Sequence, residues 1–503
     1  MSLIDKTIRG IAWSTAGKIF AQVFGFVLSI VLARLLVPED YGLWGMIVVI
    51  VNFITLFGEL GFGAALIQRK EIDERHLSSV FWLNVVVGVV LAALLALSAP
   101  AIAEFYEQPL LVDLTRIVAL NFLVAPLNMV QRAIFNREMW FKQLAVVDSV
   151  KVVIAGCVAV GMALTGWGVW SLVGQSVTIT VVSAIALWFA SDWRPSFTFD
   201  RHALGDLLGF SANLFGFKTI NYWARQVDDV LIGKVMGASA LGVYTLAYST
   251  MMVPLKEVTH VLSGVMFPAL SKIQDDPARV KGIYLRAISM IALITFPMML
   301  LLWASADVFI LTVYGEKWAG AISILEIYCF VGLYQSIGTS VGWLYKSQGR
   351  TDLMFKYGLV ASILIIVSIL IGVYIGTVEA VAISYAIMTG GVLIYPQFMI
   401  PGKLVGMRFR EVIGAVASIF GCAALAAAAI WGLGTQLPET WPAWAQFVTQ
   451  AVSGILLYLG IIHTLKIAAY VELRDFIREQ LAKKRGKTDD IDRGDADKDE
   501  GAQ

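Results

Sequence analysis

Charge is scarce in this chain. Only 15% of its 503 residues are Asp, Glu, Lys or Arg, against about 25% in an ordinary soluble domain. With 58% of residues hydrophobic, the composition excludes a soluble globular protein and points to a polytopic membrane protein. The net charge of +1 names no partner and gives no reason to expect nucleic acid, because the distribution of charge carries the information. No glycine-rich phosphate loop closed by Lys-Ser or Lys-Thr is present, so no ATPase is built in. The four histidines, His76, His202, His260 and His463, stand apart. The three cysteines, Cys157, Cys329 and Cys422, have no metal-binding spacing. They lie in apolar stretches, where thiols pack as small hydrophobes. We therefore expect no metal, no cofactor and no catalytic residue.

What is present is a series of fourteen apolar stretches of roughly spanning length: 11–35, 41–66, 78–99, 114–134, 145–164, 167–190, 209–235, 240–267, 283–305, 319–344, 357–376, 378–400, 411–433 and 444–466. The basic start MSLIDKTIRG, leading into the first span with no small-residue cleavage site, reads as an uncleaved signal anchor. With the N-terminus in the cytoplasm, the inner connections hold Arg69, Lys70, Arg75, Arg137, Lys142, Arg194, Arg201, Lys272, Arg279, Lys281, Lys346, Arg350, Lys356, Lys403, Arg408 and Arg410. The outer connections hold Lys317 but are otherwise acidic, with Glu104, Glu107, Asp113, Glu316 and Glu439, although Arg34 and Lys234 sit just inside helix ends. This asymmetry follows the positive-inside rule and places both termini in the cytoplasm. The outer connections are short, so there is no external domain. Residues 467–482 read as an interfacial helix followed by basic Lys483-Lys484-Arg485, and the acidic tail from Thr488 reads as disordered.

The seventh stretch carries the strongest polar signal. Within Phe210–Gly237 lie Lys218, Arg225, Asp228 and Asp229. At 100° per residue Ser211, Lys218, Tyr222, Arg225 and Asp229 share one stripe. Lipid does not solvate ions, so this face looks onto protein or a water-filled cavity. The plainer reading is that Arg225 and Asp229, one turn apart, neutralise each other at a helix contact. Lys218 has no such partner within its helix, which favours the cavity.

A repeat at a spacing of 200 residues supports a two-lobed plan. Lys18 corresponds to Lys218, and Tyr41-Gly42-Leu43-Trp44 to Leu241-Gly242-Val243-Tyr244. Six helices separate the copies, so they are parallel repeats. We expect an all-α protein with lobes at 1–200 and 201–400, two further helices within 401–469, and a cytoplasmic segment at 470–503. Other spans add Gln22, Asn52, Glu59, Arg116, Asn128, Gln131, Arg132, Lys256, Glu257 and His260. Arg132 is expected to snorkel to the inner interface, and Arg116 to reach the outer headgroups. Glu257 and His260, one turn apart, form either a proton-sensitive pair or a packing contact.

A series of ordered motifs then gives a resemblance. They are Leu35–Leu43 (LLVPEDYGL), Gly61–Lys70 (GFGAALIQRK), Arg137-Glu138-Met139 with Phe141-Lys142, and Trp193-Arg194-Pro195. They continue with Asp228 and Leu231-Ile232-Gly233-Lys234, Leu241–Tyr244, Ala247-Tyr248 and Phe267–Ser271 (FPALS). Over most of residues 1–410 the chain resembles the Wzx-type polysaccharide-exporter flippases of the multidrug/oligosaccharidyl-lipid/polysaccharide superfamily, especially the colanic-acid type. In that family pattern the acid before Leu-Ile-Gly matches Asp228, so either Asp228 or Asp229 is Arg225's partner.

The resemblance implies a bacterial inner-membrane protein that moves an undecaprenyl-diphosphate-linked oligosaccharide to the periplasmic leaflet by alternating access. Lys18, Lys218, Arg225 and Lys256 would then compensate the diphosphate, with Tyr222 and Trp223 against sugar. Asp228, Asp229, Glu257 and His260 would be structural or coupling groups for H+ or Na+, and contact with polysaccharide polymerase machinery is an option. A multidrug or lipid II transporter of the same superfamily is the nearest rival. A membrane glycan polymerase or glycosyltransferase is the rival from another class. It would be expected to show a large extramembrane domain, an acidic metal motif or a long outer loop.

Overall fold

The computed structural model describes residues 3–58, 66, 73–200, 211–438, 440–476, 478 and 479. The basic run at 483–485, the acidic tail and most of the Gly61–Lys70 motif lie outside them. Within a helix, the side chains of Lys218, Arg225, Glu257 and His260 also lie outside the description.

Among the described residues there are eighteen α-helices. They are α1 (Leu3–Leu35), α2 (Pro38–Gly58), α3 (Glu74–Tyr106), α4 (Leu111–Val124), α5 (Pro126–Arg137), α6 (Phe141–Leu164), α7 (Trp170–Ala190), α8 (Ser211–Met236) and α9 (Ala238–Ser271). They continue as α10 (Pro277–Ala304), α11 (Ala306–Val313), α12 (Ala321–Gly338), α13 (Val341–Ser347), α14 (Thr351–Ile375), α15 (Val378–Ala386), α16 (Ile394–Gly402), α17 (Phe409–Gly434) and α18 (Ala443–Thr464). Eleven spans are long and apolar enough to cross a membrane, or twelve if the bent pair α4–α5 is one span. The remaining stretches expected at 209–235 and 240–267 fall on α8 and α9, which are helical and contain residues whose side chains lie outside the described set. The protein is an all-α, multi-pass membrane protein, as expected.

Two compact units can be separated by their internal contacts. One comprises Met1–Ala247, Val313–Ile324 and Ser362–Tyr385; the other comprises Tyr248–Thr312, Leu325–Ala361 and Ala386–Gln503.

In the first unit, Gly17 of α1 lies so close to Ala145 of α6 that a Cβ there would stand 2.6 Å from the alanine methyl. Gly156 meets Phe24 and Leu28 in the same way. The two helices therefore run parallel, and Lys18 sits at the depth of the residues just after Ala145. Leu28, Leu32, Leu36, Ala159 and Leu172 form the core between α1, α6 and α7. Helix α3 starts at an Asp73 cap, whose side chain accepts from the His76 N–H, and stops at Glu107 in the left-handed conformation.

Between α4 and α5 the axis bends by 42° at Ala125. Pro126 has no N–H for the Phe122 carbonyl, and its ring crowds that oxygen. Gly88 of α3 makes room for the bend, because a Cβ there would lie 2.3 Å from the Phe122 oxygen and 2.5 Å from the proline ring. After α7, the segment holding Trp193-Arg194-Pro195 docks on α3 through Trp193 Nε1 to Glu74 Oε2 (2.9 Å) and Trp82 Nε1 to the Ser196 carbonyl (2.8 Å).

In the second unit α10 packs on α17 and α18. Lys281 donates to Glu411 (2.9 Å) and Tyr458 to the Leu293 carbonyl (2.9 Å). Ile387–Leu393 is a π-helical stretch between α15 and α16. Large apolar side chains remain exposed along both units, among them Val23, Val86, Leu97, Phe189 and Ile455. Exposed apolar faces of this kind suit hydrocarbon.

Candidate functional site

Helix α1 presents two exposed faces. Ile19, Val23 and Val27 make an apolar one suited to lipid. Beside it runs a polar stripe of Thr15, Lys18, Gln22 and Ser29, all exposed, with Gly25 on the same line. Lys18 forms no ion pair with a described residue. It stands about 25 Å along the axis from Leu35, too deep to reach the far headgroups. A polar stripe in a spanning helix faces water rather than hydrocarbon. This arrangement fits a hydrated, cation-bearing wall.

Helix α8 packs on α2. The Tyr222 hydroxyl donates to the Val49 carbonyl (2.5 Å), and Phe53 lies against both Trp223 (4.8 Å between ring centroids) and Tyr222 (6.0 Å). Both aromatic rings expected to meet sugar are therefore engaged with α2. Next along α8, Asp228 Oδ2 accepts from Tyr244 (2.7 Å), while its Oδ1 is secluded without a partner. Tyr106 of α3 is 4% exposed, its hydroxyl likewise unpartnered, and its ring lies 3.1 Å from where a Cβ on Gly233 would stand. The two adjacent acids are thus distinguished, since Tyr244 holds Asp228. Lys256 is exposed on α9, in the second unit.

Arg132 departs from expectation. Instead of snorkelling alone to the interface, its guanidinium binds Asp148 of α6 in bidentate fashion (Nη1–Oδ1 3.0 Å, Nη2–Oδ2 2.8 Å). Lys151 Nζ binds the same carboxylate at 2.6 Å. A carboxylate on the facing helix offers the arginine a nearer partner than headgroup phosphate. The cluster keeps one net positive charge within the membrane segments. Its signal in the sequence is Asp148 and Lys151 spaced i, i+3 inside the apolar run AVVDSVKVV, two opposite charges one turn apart in a span. Cys157 is another departure, being exposed while Cys329 and Cys422 are buried.

At the other end of this unit, Lys234 donates to Glu107 (2.7 Å), and that hydrogen bond holds the Glu107 carboxyl below the usual glutamate range. Among the described residues no three His, Cys, Asp or Glu side chains converge as a metal site.

A bundle of long apolar helices with charged side chains set along selected faces fits the class of membrane transporters. The fold matches that of the lipid II flippase MurJ in an inward closed conformation, with a TM-score of 0.70, 16% identity, and 92% of this chain and 99% of that one covered. The chain belongs to the polysaccharide biosynthesis protein family, whose model matches residues 31–323. Among curated relatives it is 29% identical over 416 residues to the lipopolysaccharide biosynthesis protein WzxC of Escherichia coli, covering 82% of this chain and 84% of that protein. It is 30% identical over 391 residues to the teichuronic acid biosynthesis protein TuaB of Bacillus subtilis, covering 77% and 81%.

Proposed function

We propose that this protein is a flippase that moves an undecaprenyl-diphosphate-linked oligosaccharide repeat unit from the cytoplasmic to the periplasmic leaflet by alternating access, for exopolysaccharide or lipopolysaccharide biosynthesis. The observation that carries the reading is the exposed polar stripe of α1 centred on Lys18, in a chain whose family and relatives are named for polysaccharide biosynthesis. A diphosphate and a glycan do not cross hydrocarbon unaided. A water-facing cation within a span stabilises the diphosphate, and the lipid tail stays in the bilayer.

Lys218 and Arg225 of α8 and Lys256 of α9 are the further proposed cargo cations. Tyr222 is anchored to α2 by its hydroxyl and is the proposed polar group beside them in the cargo set. Asp228, Asp229, Glu257 and His260 are the proposed structural or coupling groups, with H+ or Na+ as the coupling ion. Parallel lobes at 1–200 and 201–400, extra helices at 401–469 and an inner segment at 470–503 complete the plan, with both termini cytoplasmic and the protein in the bacterial inner membrane. Partners are membrane lipid, the lipid-linked glycan and the polymerase machinery that receives it. The protein transports and does not catalyse.

Its nearest alternative is a lipid II or multidrug transporter. Organic cations call for an acidic wall, whereas Lys18 is basic and the cluster at Asp148 is net positive. Depletion in cells tests the proposal. Complete lipid-linked repeat units should accumulate facing the cytoplasm, whereas single units reaching the periplasm would indicate a polymerase. Lys218→Ala and Arg225→Ala should abolish export with insertion intact, and Arg225→Lys should be partly active, since a point charge lacks the guanidinium's bidentate grip. An inverted Arg225/Asp228 or Arg225/Asp229 pair that exports fully would reduce the stripe to a packing device.

A further inference from the structure

The repeat spacing of 200 residues has a physical counterpart in the first unit. Helix α2 begins at Pro38 and α9 at Ala238, and each carries a glycine one turn further on, at Gly42 and Gly242. A Cβ on Gly42 would lie 1.7 Å from the Ala238 carbonyl oxygen, and one on Gly242 would lie 1.8 Å from the Pro38 oxygen and 3.1 Å from the Gly42 nitrogen. Each glycine thus rests on the first residue of the other helix. The contact is reciprocal, as a twofold relation between repeats requires. Any side chain at either position forces the two backbones apart.

Hydrogen bonds tie the neighbouring chain to this crossing. Trp318 Nε1 donates to the Ala33 carbonyl (2.8 Å) and Lys317 Nζ to the Arg34 carbonyl (2.7 Å), while Arg34 Nε donates to the Val313 carbonyl (2.9 Å). Tyr41 stands edge-on to Trp318 (5.2 Å between centroids), whose side chain is fully buried. The acceptors Ala33 and Arg34 belong to the last turn of α1, where carbonyls have no helical partner. Water satisfies them equally well if the bonds break. Two smooth glycine faces, held by replaceable bonds, make a contact able to part and re-form.

We propose that the Gly42–Gly242 crossing, with Arg34, Lys317 and Trp318 as its latch, is the gate on the outer side. It closes the polar stripe of α1 from the periplasm and parts to release cargo. The assignment to the outer side comes from the acidic connection at 100–113, set against the basic connections of the opposite side. The proposal rests on the transport reading for what passes through, while the position and opening of the gate do not depend on the cargo.

The test uses the full-length protein with Cys157, Cys329 and Cys422 replaced. In a Gly45→Cys/Leu241→Cys variant the two thiols bracket the crossing, because a Cβ on Gly45 lies 3.3 Å from the Leu241 side chain. Bridging them with a short cleavable thiol crosslinker should lower export at least tenfold, and cleavage should restore it. Undiminished export by the bridged protein overturns the proposal.

A second arm needs no cargo. Gly25→Cys places a thiol on the polar stripe, in space where no atom lies within 4 Å of the new Cβ. A membrane-impermeant maleimide added from the periplasmic side should label it slowly. Adding Gly42→Ala or Gly242→Ala should raise that labelling several-fold in the membrane-inserted protein. Unchanged labelling in both alanine variants overturns the gate whatever the cargo is. Raised labelling without glycan export leaves the gate standing and rejects the cargo reading.

Discussion

Replacing Asp148 by Asn removes the one anion that Arg132 and Lys151 share and leaves two cations facing each other. At an effective dielectric of about 20, each ion contact near 4 Å is worth about 4 kcal/mol before solvation is counted. Breaking a fully buried pair costs about 3–5 kcal/mol. Here the side chains of Arg132, Asp148 and Lys151 are 40%, 28% and 19% exposed, so solvent takes back part of that. We expect a loss of about 2–3 kcal/mol, a central figure between exposed and buried pairs. At about 2–4 °C per kcal/mol for domains of 150–250 residues, the midpoint falls by roughly 5–10 °C.

The assay is thermal unfolding of the detergent-solubilised protein, followed by size exclusion. The double variant Arg132→Gln/Asp148→Asn returns the site to one cation, so it should be more stable than the sum of the single effects implies. An unchanged midpoint in Asp148→Asn, or plain additivity in the cycle, would refute the claim that this cluster is one coupled unit.

Two further outcomes follow from the same geometry. Lys18→Ala should lower export by more than tenfold at unchanged membrane abundance while Lys18→Arg retains activity, read as surface polysaccharide per cell. Equal export by Lys18→Ala would remove the α1 stripe from the pathway. Glu107 has its folded pKa depressed by Lys234 below 4.5, so its contribution is complete above the unfolded value and disappears as pH falls through the folded one. Glu107→Gln should therefore lower the unfolding midpoint slightly at pH 7, less than Asp148→Asn does, and match the parent protein in acid. A difference that persists in acid would contradict that assignment.

The helices were legible in the sequence because hydrophobic length is a local signal. Even α8, with four ions in its central stretch, could be read as a helix from its polar stripe. Pro126 was visible but the bend was not, because it depends on Gly88 of another helix yielding space to the freed Phe122 carbonyl. The partner of Arg132 was hidden for the same reason: Asp148 becomes its neighbour only once α5 and α6 fold together. Tyr222 was legible as a stripe residue, but its bond to the Val49 carbonyl depends on which helix it packs against. Gly42 and Gly242 are repeat equivalents at the 200-residue spacing. That they touch each other is a statement about three dimensions which spacing alone does not contain.

The central claim is tested most directly in proteoliposomes that contain the purified protein and an undecaprenyl-diphosphate-linked oligosaccharide. The cargo begins in one leaflet, and its arrival in the other is read by a membrane-impermeant glycan-modifying enzyme. The account predicts that the modifiable fraction rises with the protein present and does not rise with Arg225→Ala or Lys18→Ala. Equal transfer by protein-free vesicles and all variants, or transfer of organic cations in place of the glycan lipid, would contradict it.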